Sequence, residues 1–425
     1  MSDAGADAND SASPLDAGAD VVECEQCGGD ACVDLRNDVE NCGACGVACA
    51  EGWSCSDGEC LDVPVEIVAG GFTTCTRMSS GDAYCWGSNT NGVAGVDSVD
   101  DVVWLPSRVV GLDRVVDIDS SGAASCAVEA TGLAYCWGTN ADGQLGQPAD
   151  TLPGTAVPRR VQGLTGATRI AVGLRHSCAI LEGGGVSCWG ANDAGQLGIG
   201  SREPASGVQT VLTIDDAIDV EAGGDTTCVR RLGGGVWCWG ALRADGETGG
   251  VTSPTEALGL DAATSLSGGS LNFCAGVQSG GVFCWGIYGT LLENPDGPAL
   301  AATTAPTQVP GSAETRIASI AVGGLYNRIT PAFAQHACFV DTMGATSCWG
   351  TNANGELGRG TGDPQPLPVT LEFDPLDEVA AGDRHTCGRT NGVVFCWGIA
   401  STLGLGESAD DARTPTPLGF FPIRR

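Results

Sequence analysis

The tripeptide Cys-Trp-Gly occurs seven times in this chain, at intervals of about fifty residues. The copies begin at Cys85, Cys136, Cys188, Cys238, Cys284, Cys348 and Cys396. Each copy has a partner cysteine upstream, and these partners are Cys75, Cys126, Cys178, Cys228, Cys274, Cys338 and Cys387. A repeat of this length predicts a propeller or a solenoid, because one such unit cannot bury its apolar face alone.

The spacing within each pair predicts a β-hairpin. When the third pair is folded so that Cys178 faces Cys188, Ile180 faces Val186 and the loop is Glu182-Gly183-Gly184. The same construction gives three-residue loops that end in glycine at Gly81, Gly132, Gly234, Gly280 and Gly344. Glycine is expected there, because a three-residue hairpin loop closes through a left-handed residue.

The seventh repeat is one residue shorter, and its loop becomes Asn391-Gly392, a preferred two-residue turn. The cysteines of every pair therefore stay opposite each other, at a non-hydrogen-bonded position with a Cα separation of ~4.5 Å. We predict seven disulfides within the blades. They join Cys75–Cys85, Cys126–Cys136, Cys178–Cys188, Cys228–Cys238, Cys274–Cys284, Cys338–Cys348 and Cys387–Cys396. The alternative is fourteen buried free thiols that pack as small hydrophobic groups.

Two further strands precede each hairpin, as residues 159–164 and 168–172 show in the third repeat. Four strands per unit are what a propeller blade needs. The first repeat starts at Val65 without its leading strand, and residues 415–420 have the form of that strand. The sequence thus predicts an all-β, seven-bladed propeller over residues 62–425, closed by a C-terminal strand in the first blade.

Residues 171–179 and 188–198, which read AVGLRHSCA and CWGANDAGQLG, resemble the regulator of chromosome condensation repeat family. The resemblance covers nearly all of residues 62–425 and implies a seven-bladed propeller. Members of this family include a nuclear guanine-nucleotide exchange factor for a small GTPase and a secreted bacterial β-lactamase inhibitor. The Asn-rich loop after Cys-Trp-Gly is altered in the fourth and seventh repeats and missing from the fifth.

Residues 23–61 form a second predicted unit, a cysteine-rich module. Its eight cysteines are Cys24, Cys27, Cys32, Cys42, Cys45, Cys49, Cys55 and Cys60. Two Cys-x-x-Cys pairs have zinc-ligand spacing, but no histidine is near and the other fourteen cysteines favour disulfides among these eight. Residues 41–60 resemble the plant stigma-specific protein family, which implies an extracellular module. Residues 1–22 repeat Asp-Ala-Gly-Ala-Asp and predict a disordered, lipoprotein-like tether.

The charge and the cysteine content restrict the function. The net charge is −32, and the chain contains no lysine, so we expect no nucleic-acid partner and no Schiff-base chemistry. Twenty-two cysteines predict an oxidising compartment. We expect a bacterial extracellular or outer cell-surface protein without a transmembrane segment, although the first residues carry no visible secretion signal. We also expect a monomer.

No catalytic constellation is visible. The three histidines, His176, His336 and His385, each stand two residues before the first cysteine of a blade. Other blades place Thr, Ala or Asn there, which indicates a structural position. The Asn-rich loops lack the carboxylates of a calcium site and are interpreted as turns, and the Cys-Trp-Gly tryptophans as core between blades. We therefore predict no catalytic, metal-binding or cofactor-binding residues, and we predict that the protein is not an enzyme.

The longest interval between blades separates Cys274 from Cys338. Two insertions, at residues 287–312 and 325–335, account for it, and a third unrepeated segment covers residues 97–104. Aromatic and Arg side chains of the kinds enriched in binding hot spots stand in these segments. The predicted binding surface is Tyr288, Tyr326, Arg328, Phe333 and Trp104.

The predicted function is an extracellular binding or scaffold protein that engages a protein or glycan through one propeller face, with an inhibitor as one form of such a protein. Two alternatives stand beside it. Nucleotide exchange on a small GTPase is implied by the family resemblance alone. A propeller-type lyase or hydrolase is the other alternative, for which the sequence offers no candidate residue.

Overall fold

The computed structural model describes residues 24–26, 32–50, 53–205, 207–242, 250–286, 303–325, 334–419, 421 and 423–424. Four short strands come first: β1 (Cys24–Gln26), β2 (Cys32–Asp34), β3 (Ser54–Ser56) and β4 (Glu59–Asp62). Seven four-stranded antiparallel sheets follow, each built from consecutive strands. Two 3-10 turns lie at Thr90–Gly92 and Ala400–Thr402. No helix in the described part of the chain is long and apolar enough to cross a membrane.

The strands of blades one to four are as follows. Blade one holds β5 (Pro64–Gly70), β6 (Thr73–Met78), β7 (Ala83–Ser88) and β8 (Val102–Arg108). Blade two holds β9 (Val115–Ser120), β10 (Ala124–Glu129), β11 (Ala134–Thr139) and β12 (Gly154–Arg160). Blade three holds β13 (Ala167–Val172), β14 (His176–Leu181), β15 (Val186–Gly190) and β16 (Gln209–Thr210). Blade four holds β17 (Ala217–Gly223), β18 (Thr226–Arg231), β19 (Val236–Gly240) and β20 (Val251–Glu256).

The remaining three blades repeat the pattern. Blade five holds β21 (Ala263–Gly268), β22 (Asn272–Val277), β23 (Val282–Gly286) and β24 (Thr303–Gln308). Blade six holds β25 (Ile317–Leu325), β26 (Ala334–Asp341), β27 (Thr346–Gly350) and β28 (Gln365–Thr370). Blade seven holds β29 (Glu378–Ala381), β30 (His385–Thr390), β31 (Val393–Gly398) and β32 (Ala412–Pro417), and β33 (Ile423–Arg424) follows it.

The predicted hairpin register is confirmed. In blade three Cys178 lies opposite Cys188 and Ile180 opposite Val186. All seven cysteine pairs of the blades are disulfide-bonded, and their Cα atoms are 4.0–4.1 Å apart. Gly184 closes its three-residue loop with φ +85°, and the two-residue turn of blade seven has φ +49° at Asn391 and +74° at Gly392. Local turn chemistry therefore fixes where each disulfide can form.

The predicted strand that closes the first blade is wrong. Strand β32 pairs with β31 of the seventh blade, with Cys396 opposite Thr416, and blade one already has four strands of its own. The strand before each inner strand belongs to the preceding blade, as β12 shows by pairing with β11. Strand β12 pairs with the free edge of β11 although residues 140–153 separate the two strands, so the sequence repeat is one strand out of step with the blade.

The ends of the ring meet through a different contact. Backbone pairing joins Ile423 of β33 to Asp62 of β4, just ahead of the first blade. Phe421 is buried there and packs edge-on against Tyr84, with ring centroids 5.8 Å apart, and against Trp86 at 6.3 Å. The C-terminal segment therefore closes the ring by packing on the first blade rather than by joining its sheet.

Each Cys-Trp-Gly tryptophan lies fully buried between two blades, as predicted. Trp189 of blade three packs with Val128, Leu145 and Val161 of blade two. Its indole Nε1 donates to the carbonyl of Gln144 at 2.9 Å. The equivalent bonds run from Trp137 to Val93, Trp239 to Gln196 and Trp397 to Glu356.

The glycine of the tripeptide is needed for a close backbone approach. Gly190 has φ +106°, and a Cβ there would lie 2.5 Å from the carbonyl oxygen of Arg175. The asparagine of the following loop organises that loop as a turn, which confirms its interpretation. Asn192 donates to the carbonyls of Ser201 and Glu203 and accepts the amide of Leu197.

The cysteine-rich module contains disulfides joining Cys42 to Cys55 and Cys49 to Cys60, and Cys45 is disulfide-bonded as well. These bonds favour the disulfide alternative over zinc, because a sulfur in a disulfide is not a thiolate ligand. The side chains of Cys24, Cys27 and Cys32 and the predicted tether at residues 1–22 lie outside the described part. The module meets the propeller at Asp62, whose carboxylate caps the first hairpin turn by accepting from Ser79 and Ser80.

Candidate functional site

The propeller has two unlike ends. We call the end that carries the hairpin turns, such as residues 182–184, the turn face. The opposite end carries the connections from first to second and from third to fourth strands, and we call it the loop face. The cysteine-rich module contacts the turn face through Asp62. The loop face of the described chain is therefore the end with the more varied connections and no docked module.

Blade six departs from the other blades at the loop face. Its first two strands remain paired through Gly323 and His336 to Gly324 and Gln335 and then to Leu325 and Ala334. The corresponding pairing in blade four ends at Gly223 and Thr226, the equivalents of Gly323 and His336. Blade six thus extends its hairpin by two residue pairs beyond the level at which blade four turns.

The two predicted insertions differ in importance. Twenty residues lie between Gly286 and Thr307, the partner of Cys284, and twenty also lie between Gly138 and Arg159, the partner of Cys136 in blade two, so residues 287–312 are not an unusual insertion. Between Leu325 and Ala334 lie eight residues on top of the lengthened strands, where other blades have two or three. The long Cys274–Cys338 interval is therefore mainly the blade-six hairpin.

The predicted binding residues are not all brought together. Tyr288, Tyr326, Arg328 and Phe333 lie outside the described residues. The strand ends that bracket them, Gly286 and Leu325, lie at the loop face of the adjacent blades five and six. Trp104 is on the outer strand of blade one, two blades from blade six, and its carbonyl accepts the amide of Gly406. Trp104 therefore does not belong to a surface at blades five and six.

The three histidines form bonds between blades. The Nε2 of His176 lies 2.7 Å from Thr227 Oγ1, that of His336 lies 2.9 Å from Thr386 Oγ1, and that of His385 lies 2.7 Å from Thr74 Oγ1. Each threonine belongs to the next blade, and all three histidines are fully buried. Burial lowers the pKa of His176 to about 4 and that of His385 to about 3. These are neutral structural histidines, as their position in the repeat indicated.

An arginine cluster at the loop face was not predicted. The guanidinium of Arg175 bonds to both oxygens of Asp225 of blade four and to Asp193 of its own blade. Asp142 of blade two lies 3.9 Å away. These bonds raise the pKa of Arg175 above its ordinary value, with the Asp225 bond contributing most. The cluster joins three blades, and its charges are used internally.

The innermost strands line a central channel that encloses about 500 Å³. An innermost strand has one edge without a partner strand, so its amides need other acceptors. Side chains of the preceding blade supply them: Asp117 accepts from Ile170 at 2.6 Å, and Asp119 accepts from Val172 at 2.6 Å. The other bonds of this kind are Glu221 to Gly268, Ser267 to Val322, Ser319 to Val379 and Glu378 to Ile67.

The channel carboxylates are unequally balanced by arginine. Four have an arginine partner within 3.3 Å, and the pairs are Glu66–Arg77, Asp117–Arg169, Asp219–Arg230 and Glu378–Arg389. Burial raises the pKa of Asp119 to about 6 and raises that of Glu221 well above its ordinary value. The channel acids were not recognised in the sequence because they are a few among 52. Their position does repeat along the chain, either seven residues (Asp119, Glu221) or nine residues (Glu66, Asp117, Asp219, Glu378) before the first cysteine of a blade.

Comparison with known proteins agrees with this architecture. The family model "Regulator of chromosome condensation (RCC1) repeat" matches residues 80–128, 131–180 and 347–388, and a second model of the same description matches residues 167–196. The model of the "Stigma-specific STIG1-like protein family" matches residues 16–89. The predicted resemblances to both families are confirmed.

Individual relatives cover different shares of the chain. The ultraviolet-B receptor UVR8 of Arabidopsis thaliana is 26% identical over 81% of this chain and 68% of its own length. The probable E3 ubiquitin-protein ligase HERC6 of Homo sapiens is 29% identical over 29% of this chain, a match that spans 12% of HERC6. The solved structure of yeast RCC1 (Prp20) bound to Kap60 has a TM-score of 0.67 at 19% identity, covering 84% of this chain and 85% of that one, and shares the fold. The comparisons support a propeller that serves as a binding scaffold.

Proposed function

Because the chain contains regulator of chromosome condensation repeats, we propose that it is a binding protein, extracellular in location, that engages a protein partner through the loop face at blades five and six. The extended hairpin of blade six, paired out to Leu325 and Ala334, carries the proposal. A repeat fold presents variation on a fixed scaffold, and the place where one unit departs from the others is where specificity is expected.

The composition of the hairpin supports a protein partner. Tyr326, Arg328 and Phe333 stand in the sequence between its two strands, and aromatic and Arg side chains dominate binding hot spots. In the described part of the chain the loop face also has the exposed Leu174 beside Arg175. A glycan is the second candidate ligand, since aromatic side chains on a rigid platform suit sugar rings as well.

An oxidising location is supported by the chemistry of the cysteines. Disulfides persist outside the cytosol, and nine of them lie among the described residues with both partners in view. The match to the stigma-specific family supports the same compartment. Thiol labelling of the protein in its native location tests this: no label is expected, and labelling at many cysteines would contradict an extracellular site.

The binding test uses two baits beside the native protein. In one variant Asn-Gly replaces residues 326–333, which closes the paired ends at Leu325 and Ala334 with a preferred two-residue turn. The control variant, Leu232→Ala with Met343→Ala, removes two apolar side chains that are 73% and 83% exposed at the turn face. A partner from the source surface or medium should bind the native protein and the control but not the shortened hairpin.

The captured partner is then purified and titrated against all three proteins. Loss of affinity in the shortened hairpin alone supports the proposal. Equal affinity of all three would place the site elsewhere. If only sugars on a glycan array are bound, the partner class is wrong. Accelerated release of nucleotide from a small GTPase would favour the exchange alternative. We expect the unliganded protein to be a monomer, which light scattering can check.

A further inference from the structure

The central channel carries more negative charge than its structure requires. At two blade junctions the amide of the next inner strand is satisfied by the neutral hydroxyls of Ser267 and Ser319, at 3.1 and 3.3 Å. At two other junctions Asp119 and Glu221 fill the same role. Since serine suffices as an acceptor, the charges of these two side chains are not explained by the hydrogen bonds they accept.

No arginine balances these two carboxylates among the described residues. Asp119 accepts only the backbone amides of Val172 and Ser120, and Glu221 accepts only that of Gly268. Both side chains lie partly buried in the channel wall. The arginines along the wall are already paired with other carboxylates, for example Arg169 with Asp117. An uncompensated carboxylate at a partly buried position is costly unless something cationic joins it.

A third carboxylate faces the same channel from its mouth. Asp383 is only 7% exposed, and its carboxylate makes no hydrogen bond or ion pair within the described part of the chain. Its backbone amide donates to Gly71, which fixes the residue at the channel rim. The other residues that line the described mouth are glycine, serine and one leucine, so Asp383 is the only charged residue of that lining, and the neighbouring Arg384 acts on its carboxylate through its charge without forming an ion pair. A buried and unpartnered polar group of this kind needs an explanation, and a ligand provides one.

The spacing of the channel acids argues against a compact metal centre. The one group of three potential metal ligands within 4.8 Å in the described chain is Cys42, Cys49 and Cys60, whose sulfurs are in disulfides. The channel carboxylates are instead spread along the wall from the rim inwards. An elongated cation with several separated charges fits such a wall better than a single ion.

We propose that the central channel binds a small linear polyamine, whose ammonium groups bond to Asp119, Glu221 and Asp383. The protonated amines supply the N–H donors that these carboxylates lack, and the methylene segments lie against the glycine-rich rim. This site borders the base of the blade-six hairpin at Gly324, but its three carboxylates belong to blades two, four and seven, and it does not depend on a protein partner. The strong net negative charge of the chain draws polycations towards it from all sides, so the test must separate the channel from the surface.

The test is a calorimetric titration of the full chain with spermidine at low and physiological ionic strength. Asp383→Asn is the main variant, because its carboxylate holds no bond that the fold uses. Glu221→Gln is the second, since its amide oxygen can still accept from Gly268. The matched control is Asp215→Asn, which removes the same charge from a side chain that is 89% exposed at the turn face.

We expect one saturable spermidine site. Either channel variant should lower its affinity about tenfold, whereas Asp215→Asn should leave the affinity within about twofold of the native value. Circular dichroism should show all three variants folded. Absence of saturable spermidine binding would overturn the proposal, and so would equal weakening by all three variants, which would mean diffuse surface attraction. Binding of Ca²⁺ in place of spermidine, lost in the same variants, would also overturn it in favour of a metal.

Discussion

His385 of the last blade and Thr74 of the first blade are joined by a 2.7 Å hydrogen bond across the seam of the ring. The same bond recurs between His176 and Thr227 and between His336 and Thr386. In each case Nε2 is bonded, while Nδ1 has no hydrogen-bond partner among the described residues. Three blade junctions therefore depend on a neutral imidazole.

This dependence predicts a loss of stability at mildly acidic pH. Burial lowers the pKa of His176 to about 4 and that of His385 to about 3, and charge repulsion between His385 and His336, when both are protonated, adds to the effect at His385. Between pH 6.5 and these values the unfolded chain binds the extra proton, so stability falls as pH falls through that window. Each of these two histidines should contribute on the order of 2 kcal/mol to this fall in the free energy of unfolding.

The double variant His176→Asn and His385→Asn isolates this effect. Urea unfolding at pH 7 and at pH 4.5 should show a smaller pH difference in the variant than in the native protein. Asp119, whose pKa is raised to about 6, acts in the opposite direction, because the folded state then binds the proton first. Since Asp119 is present in both proteins, it cancels in the comparison. An unchanged pH difference would contradict the prediction.

The hairpin disulfides predict a modest and local stabilisation. Six of them join cysteines ten residues apart and the seventh joins cysteines nine apart, and chain entropy gives about 2–3 kcal/mol for loops of this length. Cys178→Ala with Cys188→Ala should lower the free energy of unfolding by about that amount while the other blades keep their bonds. Alanine is preferred to serine, because a hydroxyl at this fully buried position would lack a partner. A loss near zero would indicate that the loop is already constrained in the unfolded chain.

Local chemistry made much of this fold predictable. The position of Gly184 after Glu182 and Gly183 set the loop length, the loop set the register, and the register set the disulfide Cys178–Cys188. The same reasoning failed at the C terminus. The sequence of residues 412–417 suits an outer strand of either the first or the last blade. Only the pairing of Thr416 with Cys396 shows that it belongs to the last blade.

The candidate sites were harder to predict for two different reasons. Arg175 bonds to Asp225 across fifty residues of sequence, and a bond between two blades produces no pattern within a single repeat. The carboxylate of Asp119 stands among many surface acids, and only its partner Val172 N reveals an inner-strand role. Blade six was recognised from its long sequence interval. The sequence did not show, however, that part of the added length extends the paired strands to Leu325 and is not all loop.

Replacing each of two neighbouring glycines in one turn by alanine should destabilise the protein by different amounts. Gly183 has φ +89° and open space where a Cβ would stand, whereas at Gly184, with φ +85°, a Cβ would lie 2.7 Å from the Cα of Asp216. Gly183→Ala should cost about 1 kcal/mol from backbone strain alone. Gly184→Ala should cost clearly more, since the backbone at Asp216 must move. Thermal unfolding of the two variants compares them, and equal penalties would contradict the close approach.

The closing contact at the C terminus predicts that a single aromatic side chain stabilises the whole ring. Phe421 packs against Tyr84 and Trp86 of the first blade, and Trp86 is fully buried. Phe421→Ala should destabilise the protein by about 3 kcal/mol, the usual penalty for emptying a buried aromatic site. Phe421→Leu keeps most of the volume and should cost less than half as much. If β32 closed the ring as a strand of blade one, Phe421 would be peripheral and both variants would resemble the native protein in urea unfolding. Hydrogen exchange then separates the two possibilities: with Phe421→Ala, protection should fall in β5 to β7 of the first blade and in β29 to β31 of the last, while the blades opposite the seam stay protected.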